Sequence, residues 1–155
     1  MVNTQDEFMS ERKNIMNYED IKSILPHRDN MLLLDSAEVI NLIACGKKKI
    51  NEDEWFLKGH FPNNPIVPGM ILCEILAQTA CVCIGGKLKE NQIPVIAWLD
   101  KVRFKNPVLP GDVFETKCEI TNERAPYYFA KGSGYVKGNL CVSAEFAFAI
   151  KETDN

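Results

Sequence analysis

Gly59-His60-Phe61-Pro62-Asn63-Asn64-Pro65-Ile66-Val67-Pro68-Gly69-Met70-Ile71-Leu72-Cys73-Glu74 joins a histidine, a proline-punctuated loop and the start of an apolar helix. From Gly69 to Ile84 only Glu74, Gln78 and Thr79 carry polar side chains. A surface helix keeps one polar face, so a helix this apolar belongs inside, packed on several sides. It is too short to cross a bilayer, and its carboxylate comes too early. Pro62, Pro65 and Pro68 fix φ at every third residue and predict a stiff, extended entry. Pro68-Gly69 then opens the helix, where the first amides have no internal partner.

A buried Glu74 needs a partner or a purpose, because an unpaired carboxylate in an apolar core is expensive. Desolvation predicts a raised pKa there, which would keep the group protonated and able to give a proton away. His60 is the side chain best suited to take a proton near neutral pH. The free amides of Gly69 and Met70, with the helix dipole, suit a carbonyl oxygen gaining negative charge. Base, oxyanion site and acid in this order form a constellation for removing a proton next to a carbonyl. Each residue also has a structural reading: a carbonyl-bonded core histidine, a glutamate paired with a buried Arg or Lys, and a glycine giving room for a sharp turn. Gln78, one turn on from Glu74, is placed to hydrogen-bond it or a substrate.

Gly59-His60-Phe61-Pro62, then Pro65-Ile66-Val67-Pro68-Gly69, then Glu74 resembles the 3-hydroxyacyl-[acyl-carrier-protein] dehydratases of the FabZ type. Leu25-Pro26-His27-Arg28 upstream continues the match, as do Val102-Arg103-Phe104-Lys105, Pro107 and Pro110-Gly111-Asp112 downstream. The resemblance runs from about Tyr18 to Ile150. It implies an α+β hotdog fold, with an antiparallel sheet wrapped around one long central helix. It also implies the site: His60 takes the proton from C2 of a 3-hydroxyacyl thioester, and Glu74 serves the departing hydroxyl. Phe61, Pro68, Gln78 and Trp98 become candidates for the substrate tunnel or its support. Trp98 stands where related sequences carry a small side chain, and a ring lining the tunnel would shorten the accessible acyl chain. The implied assembly is a homodimer with shared active sites, with a hexamer of three dimers as a larger form. Related FabA-type proteins carry aspartate at the position of Glu74.

Composition narrows the classes independently. The 155 residues fit one domain with a single core, and the balance of 46% apolar to 25% charged residues is that of a soluble globular chain. A net charge of -3 gives no electrostatic case for nucleic acid. Cys45, Cys73, Cys81, Cys83, Cys118 and Cys141 are scattered without a CxxC pair, which reads as reduced thiols in a cytoplasmic protein. No apolar signal segment opens the chain. No metal or cofactor is implied, since acid, base and enolate stabilisation suffice for the dehydration. The thioester would arrive on an acyl carrier protein, which is acidic. Lys101, Arg103 and Lys105 alternate along a predicted strand and would offer it one basic face.

Along the chain, residues 1–15 read as a polar leader and 16–155 as a single hotdog domain. Asn17 caps a short helix carrying Tyr18, Ile21 and Leu25, which Pro26 stops. His27 has two readings, a second catalytic base and a loop histidine making structural hydrogen bonds. The second is favoured, because no acid or helix terminus is tied to it in sequence. Met31 to Asp35 reads as a buried strand running on through Ile40, with Lys47-Lys48-Lys49 on the exposed part of its return strand. After Gly85-Gly86 come four strand-like segments: Val95 to Lys105, one alternating through Phe114, Thr116, Cys118 and Ile120, Tyr127 to Val136, and one from Leu140 to Ile150. Gly132 and Gly134 mark a bulge or a close approach. A dehydratase that also isomerises the double bond, a hotdog acyl thioesterase and a non-catalytic acyl-binding module are the alternative functions.

Overall fold

The apolar segment after Pro68 forms helix α2 (Gly69–Val82), and every residue of it from Leu72 onward is buried except Glu74. The computed structural model describes residues 14–154, so the expected polar leader lies, apart from Asn14 and Ile15, outside the described residues. The other elements, in chain order, are β1 (Met16–Asn17), α1 (Tyr18–Ile24), β2 (Ser36–Ile40), β3 (Ile43–Lys49), β4 (Gln92–Phe104), β5 (Val113–Arg124), β6 (Tyr127–Val136) and β7 (Asn139–Glu152). They build one antiparallel sheet in the order β1-β2-β3-β5-β6-β7-β4, whose inner face packs on α2. This is the α+β arrangement expected from the sequence, a sheet wrapped around one long helix.

Side-chain alternation explains how the sheet holds the helix. Phe114, Thr116, Cys118 and Ile120 are all buried on β5, as their period of two requires. Thr116 Oγ1 meets Thr79 Oγ1 at 2.7 Å, and the Cys118 thiol donates to the Leu76 carbonyl at 3.2 Å. The two β6 glycines are close approaches: a Cβ on Gly132 would stand 2.6 Å from Cys118 Sγ, and one on Gly134 would strike the Phe114 ring. Asn17 caps α1 with a reciprocal pair, accepting from Asp20 N–H at 3.0 Å while its own N–H reaches the Asp20 carboxylate at 2.9 Å.

Three local expectations are corrected. Leu32, Leu33 and Leu34 are buried but not a strand, which begins only at Ser36. The Leu33 N–H goes to Gln78 Oε1 at 2.9 Å, so a helix side chain takes the place of a ladder partner. The lysines of β3 do not mark a sheet edge, because β3 lies between β2 and β5. Lys48 is buried, its ammonium 2.8 Å from Glu54 and 3.9 Å from Asp35. The loop after His60 is not extended throughout either. Phe61 and Asn64 exchange backbone hydrogen bonds of 3.1 and 3.0 Å around Asn63, which adopts φ 61.

Strand β4 sits at the sheet edge beside β7 rather than pairing with its sequence neighbour β5. Its register breaks twice. Ile96 opposes Phe148 while Trp98 opposes the adjacent Ala147, and Asp100 opposes Glu145 while Arg103 opposes Ser143. Each break inserts one extra residue, which reverses the face that the following side chains take.

Substituting Gly134 by Ala is expected to lower the unfolding free energy by about 1–3 kcal/mol, the usual range for overpacking. Urea denaturation reads the change, and Phe114→Leu added to it should recover part by making room. Unchanged stability in the single variant would show that the Phe114 ring moves aside freely.

Candidate active site

His60 is fixed by its own loop. Its Nδ1 lies 2.7 Å from the Ile66 carbonyl, and its backbone carbonyl accepts from Ile66 N–H at 2.9 Å. A carbonyl can only accept, so Nδ1 carries the hydrogen and Nε2 keeps its lone pair. The imidazole is partly exposed and stacks on Phe61, with ring centroids 4.2 Å apart. This is the tautomer and accessibility that a base requires.

Helix α2 begins immediately beyond this loop. The Pro68 carbonyl accepts the N–H groups of Ile71 and Leu72 at 2.9 and 3.3 Å. The amides of Gly69 and Met70 come before Ile71, the first helix amide with an internal acceptor, so they remain available to a ligand. Gly69 also has a packing reason: a Cβ there would stand 2.8 Å from the Phe104 ring. Phe61, Met70 and Phe104 are exposed around this helix start.

Glu74 is half-buried on the next turn. Its Oε1 accepts from Gln78 Nε2 at 2.9 Å and lies 3.5 Å from His27 Nε2. The Gln78 amide is itself fully assigned, its oxygen taken by Leu33 N–H and its nitrogen also donating to the Met31 carbonyl at 2.7 Å. Burial alone would raise the Glu74 carboxyl pKa. Hydrogen bonds from His27 and Gln78, with the charge of His27, outweigh it and hold the group below its ordinary value. The raised pKa expected from the apolar helix is therefore corrected: the burial and Gln78 are legible in the sequence, the His27 donor is not. His27 was read as structural for the same reason. Its only signal was its place in Leu25-Pro26-His27-Arg28, and the acid it meets is brought over by the fold.

His27, Glu74 and Gln78 line a cleft of about 310 Å³ whose other walls are Ala77, Cys81, Pro94, Val95, Ile96 and Phe148. One end is polar and the rest apolar, a shape suited to a polar reacting group carrying a hydrocarbon tail. His60 is not among these lining residues, nor are Phe61, Pro68, Gly69 and Met70. Trp98 is absent too. The break after Ile96 turns it to the opposite face of the sheet, where its ring lies 6.0 Å from Phe129 and it is 41% exposed. Within its own chain Trp98 therefore does not close the cleft. The alternating basic face is also corrected. Lys101 takes φ 50 within the second break and pairs with Glu145 at 3.2 Å, while Lys105 lies beyond the end of β4.

A long helix wrapped by an antiparallel sheet is the arrangement of the hotdog fold. The FabA-like domain family matches residues 25–145, and the chain belongs to that family. It is 40% identical over 140 residues to the 3-hydroxyacyl-[acyl-carrier-protein] dehydratase FabZ of Clostridium perfringens, covering 88% of this chain and 99% of that one. The FabZ of Petrotoga mobilis is 39% identical over 139 residues, covering 89% and 100%. Among solved structures, the dehydratase heterocomplex ApeI:P from Xenorhabdus doucetiae superposes with a TM-score of 0.75 at 18% identity, over 85% of this chain and 91% of that one. A Thermus thermophilus thioesterase superfamily member gives 0.61 at 13%, over 74% and 84%. At such identities the two structures attest the hotdog fold.

The depressed Glu74 pKa makes a stability prediction. A carboxyl depressed in the folded state stabilises above its ordinary value of 4.5, and that contribution is lost as pH falls through the folded value. Wild type should therefore be more stable than Glu74→Gln at pH 6 by about 1 kcal/mol, the net scale of one ordinary hydrogen bond, since burial of the charge offsets part of the gain. The gap should narrow below pH 4.5 in thermal or urea unfolding; a gap independent of pH would mean that Glu74 gains nothing from its donors.

Proposed function

We propose that this chain dehydrates (3R)-3-hydroxyacyl-[acyl-carrier-protein] thioesters to trans-2-enoyl thioesters, as a hydro-lyase of fatty-acid synthesis. In this reading His60 Nε2 removes the C2 proton, and the Gly69 and Met70 amides take the charge developing on the thioester carbonyl. Glu74 serves the leaving 3-hydroxyl, and the apolar walls of its cleft hold the acyl chain. The carrier protein docks on exposed basic residues, of which Arg103 and Lys105 remain candidates. A cytoplasmic location accords with six free cysteines. No helix of the described residues is long and apolar enough to cross a membrane.

The observation that carries the reading is the separation of the two halves. His60 presents its Nε2 at the helix entry and Glu74 lies in an apolar-walled cleft, yet His60 does not line that cleft in its own chain. A second copy supplies the missing half. Strand β4 offers a 13-residue edge, with Ile96, Trp98 and Phe104 exposed along it. An unpaired edge of this length is a template for strand pairing. Pairing two such edges about a two-fold axis brings His60 of one chain to Glu74 of the other, in two equivalent sites. A hexamer of three such dimers is the larger assembly that the resemblance implies.

Mixed dimers test this directly. His60→Ala and Glu74→Ala homodimers should each be inactive on carrier-bound 3-hydroxyacyl substrates. After dissociation and random reassortment, half the dimers are mixed and one of their two sites is intact, so about a quarter of wild-type activity should return. Mass evidence of mixed dimers with no activity would place both groups in one chain. Product mass identifies the reaction at the same time, since thiol release from an acyl thioester lacking the 3-hydroxyl would indicate a hydrolase. In the same assay Trp98→Gly should leave the acyl-length preference within about twofold, the effect of a residue outside the pocket. A shift toward longer chains would bring the ring back to the tunnel.

A further inference from the structure

The leaving hydroxyl needs a proton, and Glu74 is arranged as an acceptor. Its Oε1 faces two nitrogen atoms, Gln78 Nε2 at 2.9 Å and His27 Nε2 at 3.5 Å. Gln78 cannot reverse its amide, because Leu33 N–H and the Met31 carbonyl fix both ends. The second nitrogen of His27, Nδ1, is buried without a hydrogen-bond partner. An extra proton is therefore poorly housed on either residue. On Oε1 it would oppose the donor of Gln78, and as an imidazolium it would leave a buried Nδ1–H with no acceptor. A proton that neither partner holds well is one the pair gives up readily.

We propose that the acid of this site is a Glu74–His27 pair holding one transferable proton, with His27 as the positioning partner and proton store behind Glu74. Imidazolium with carboxylate and imidazole with carboxylic acid are two forms of one neutral pair. With Oε1 occupied, Oε2 is the oxygen left to meet the substrate. On turnover the partner's His60 takes the C2 proton and becomes cationic, the C2–C3 double bond forms and the C3–O bond breaks. In the acid form the transferable proton sits on Oε2 while His27 Nε2–H donates to Oε1. The Oε2–H bond breaks as a new O–H bond forms to the leaving 3-hydroxyl, water leaves, and imidazole with carboxylate is left carrying one negative charge. Proton exchange with solvent restores both groups.

Other charges near the pair are few. Cys81 is the one further titratable group lining the cleft, and burial followed by the charge of Glu74 pushes its thiol well up. Arg28, next to His27, turns to the carbonyls of Leu25 and His27 at 2.7 Å each. A pair of this kind titrates as a unit, with apparent values belonging to both residues.

This inference rests on the dehydratase reading, and its test has one arm that needs no substrate. In the first arm, kcat and KM of wild type, His27→Gln and His27→Asn are followed from pH 5 to 9. With Glu74 left alone as the acid, the ratio of kcat at pH 6 to kcat at pH 8 should rise at least tenfold over wild type, while KM changes little. An equal loss at every pH would reduce His27 to packing and overturn the proposal. In the second arm, the Glu74 carboxyl carbon and the His27 ring nitrogens of the wild-type protein are titrated by NMR. Both residues should report the same two steps; independent single titrations would overturn the pair even if the variants failed to fold. A wild-type protein inactive on 3-hydroxyacyl substrates would refute the dehydratase reading instead, and the second arm would still decide the pair.

Discussion

Everything in the structure follows from burying α2 on several sides. A helix with no solvent face must satisfy each of its polar side chains against the surrounding chain, since an unmatched buried donor or acceptor costs about 1–3 kcal/mol. Thr79 does so on Thr116, and Gln78 on Leu33 and Met31. The Gln78 solution has a chemical consequence. A residue spent on tying the buried Leu32–Leu34 segment to the helix also places one hydrogen-bond donor on Glu74. Core satisfaction and site geometry are thus one network.

The two chemical groups reach opposite electrostatic states by local means. At His60 a backbone carbonyl fixes the hydrogen on Nδ1 and leaves Nε2 bare. At Glu74 burial and hydrogen bonding compete, and the donors win. Burial of a carboxyl therefore does not by itself yield an acid. Two fixed neighbours decide the direction against burial: a glutamine locked at both ends and a histidine from a distant loop.

Strand β4 shows how little is needed to redirect a face. Two single-residue breaks turn Trp98 away from the helix side and put Lys101 beside Glu145. They also leave a long edge with exposed apolar side chains beside the exposed start of α2. The same strand thus walls the Glu74 cleft with Pro94, Val95 and Ile96 and forms one edge of the described sheet.

The sequence by itself determined the elements whose cause is local. Apolarity from Gly69 to Ile84 implied a buried helix, period-two alternation located β5 and β7, and Asn17 implied a cap. The motif also marks His60 and Glu74 as candidates, because it places an imidazole, a helix start and a carboxyl within one continuous stretch. What only the tertiary structure decided came from residues far apart in the chain. The buried leucines after Met31 give no alternation that would distinguish a strand from a segment pinned by Gln78. The breaks in β4 leave no mark on a polar-apolar pattern, so the face taken by Trp98 and the interruption of the basic alternation at Lys101 are not legible in the sequence. His27 has no acid near it until the chain closes around α2. Local sequence carries burial and backbone preference; which donor meets a buried carboxylate is fixed only when distant segments share one core.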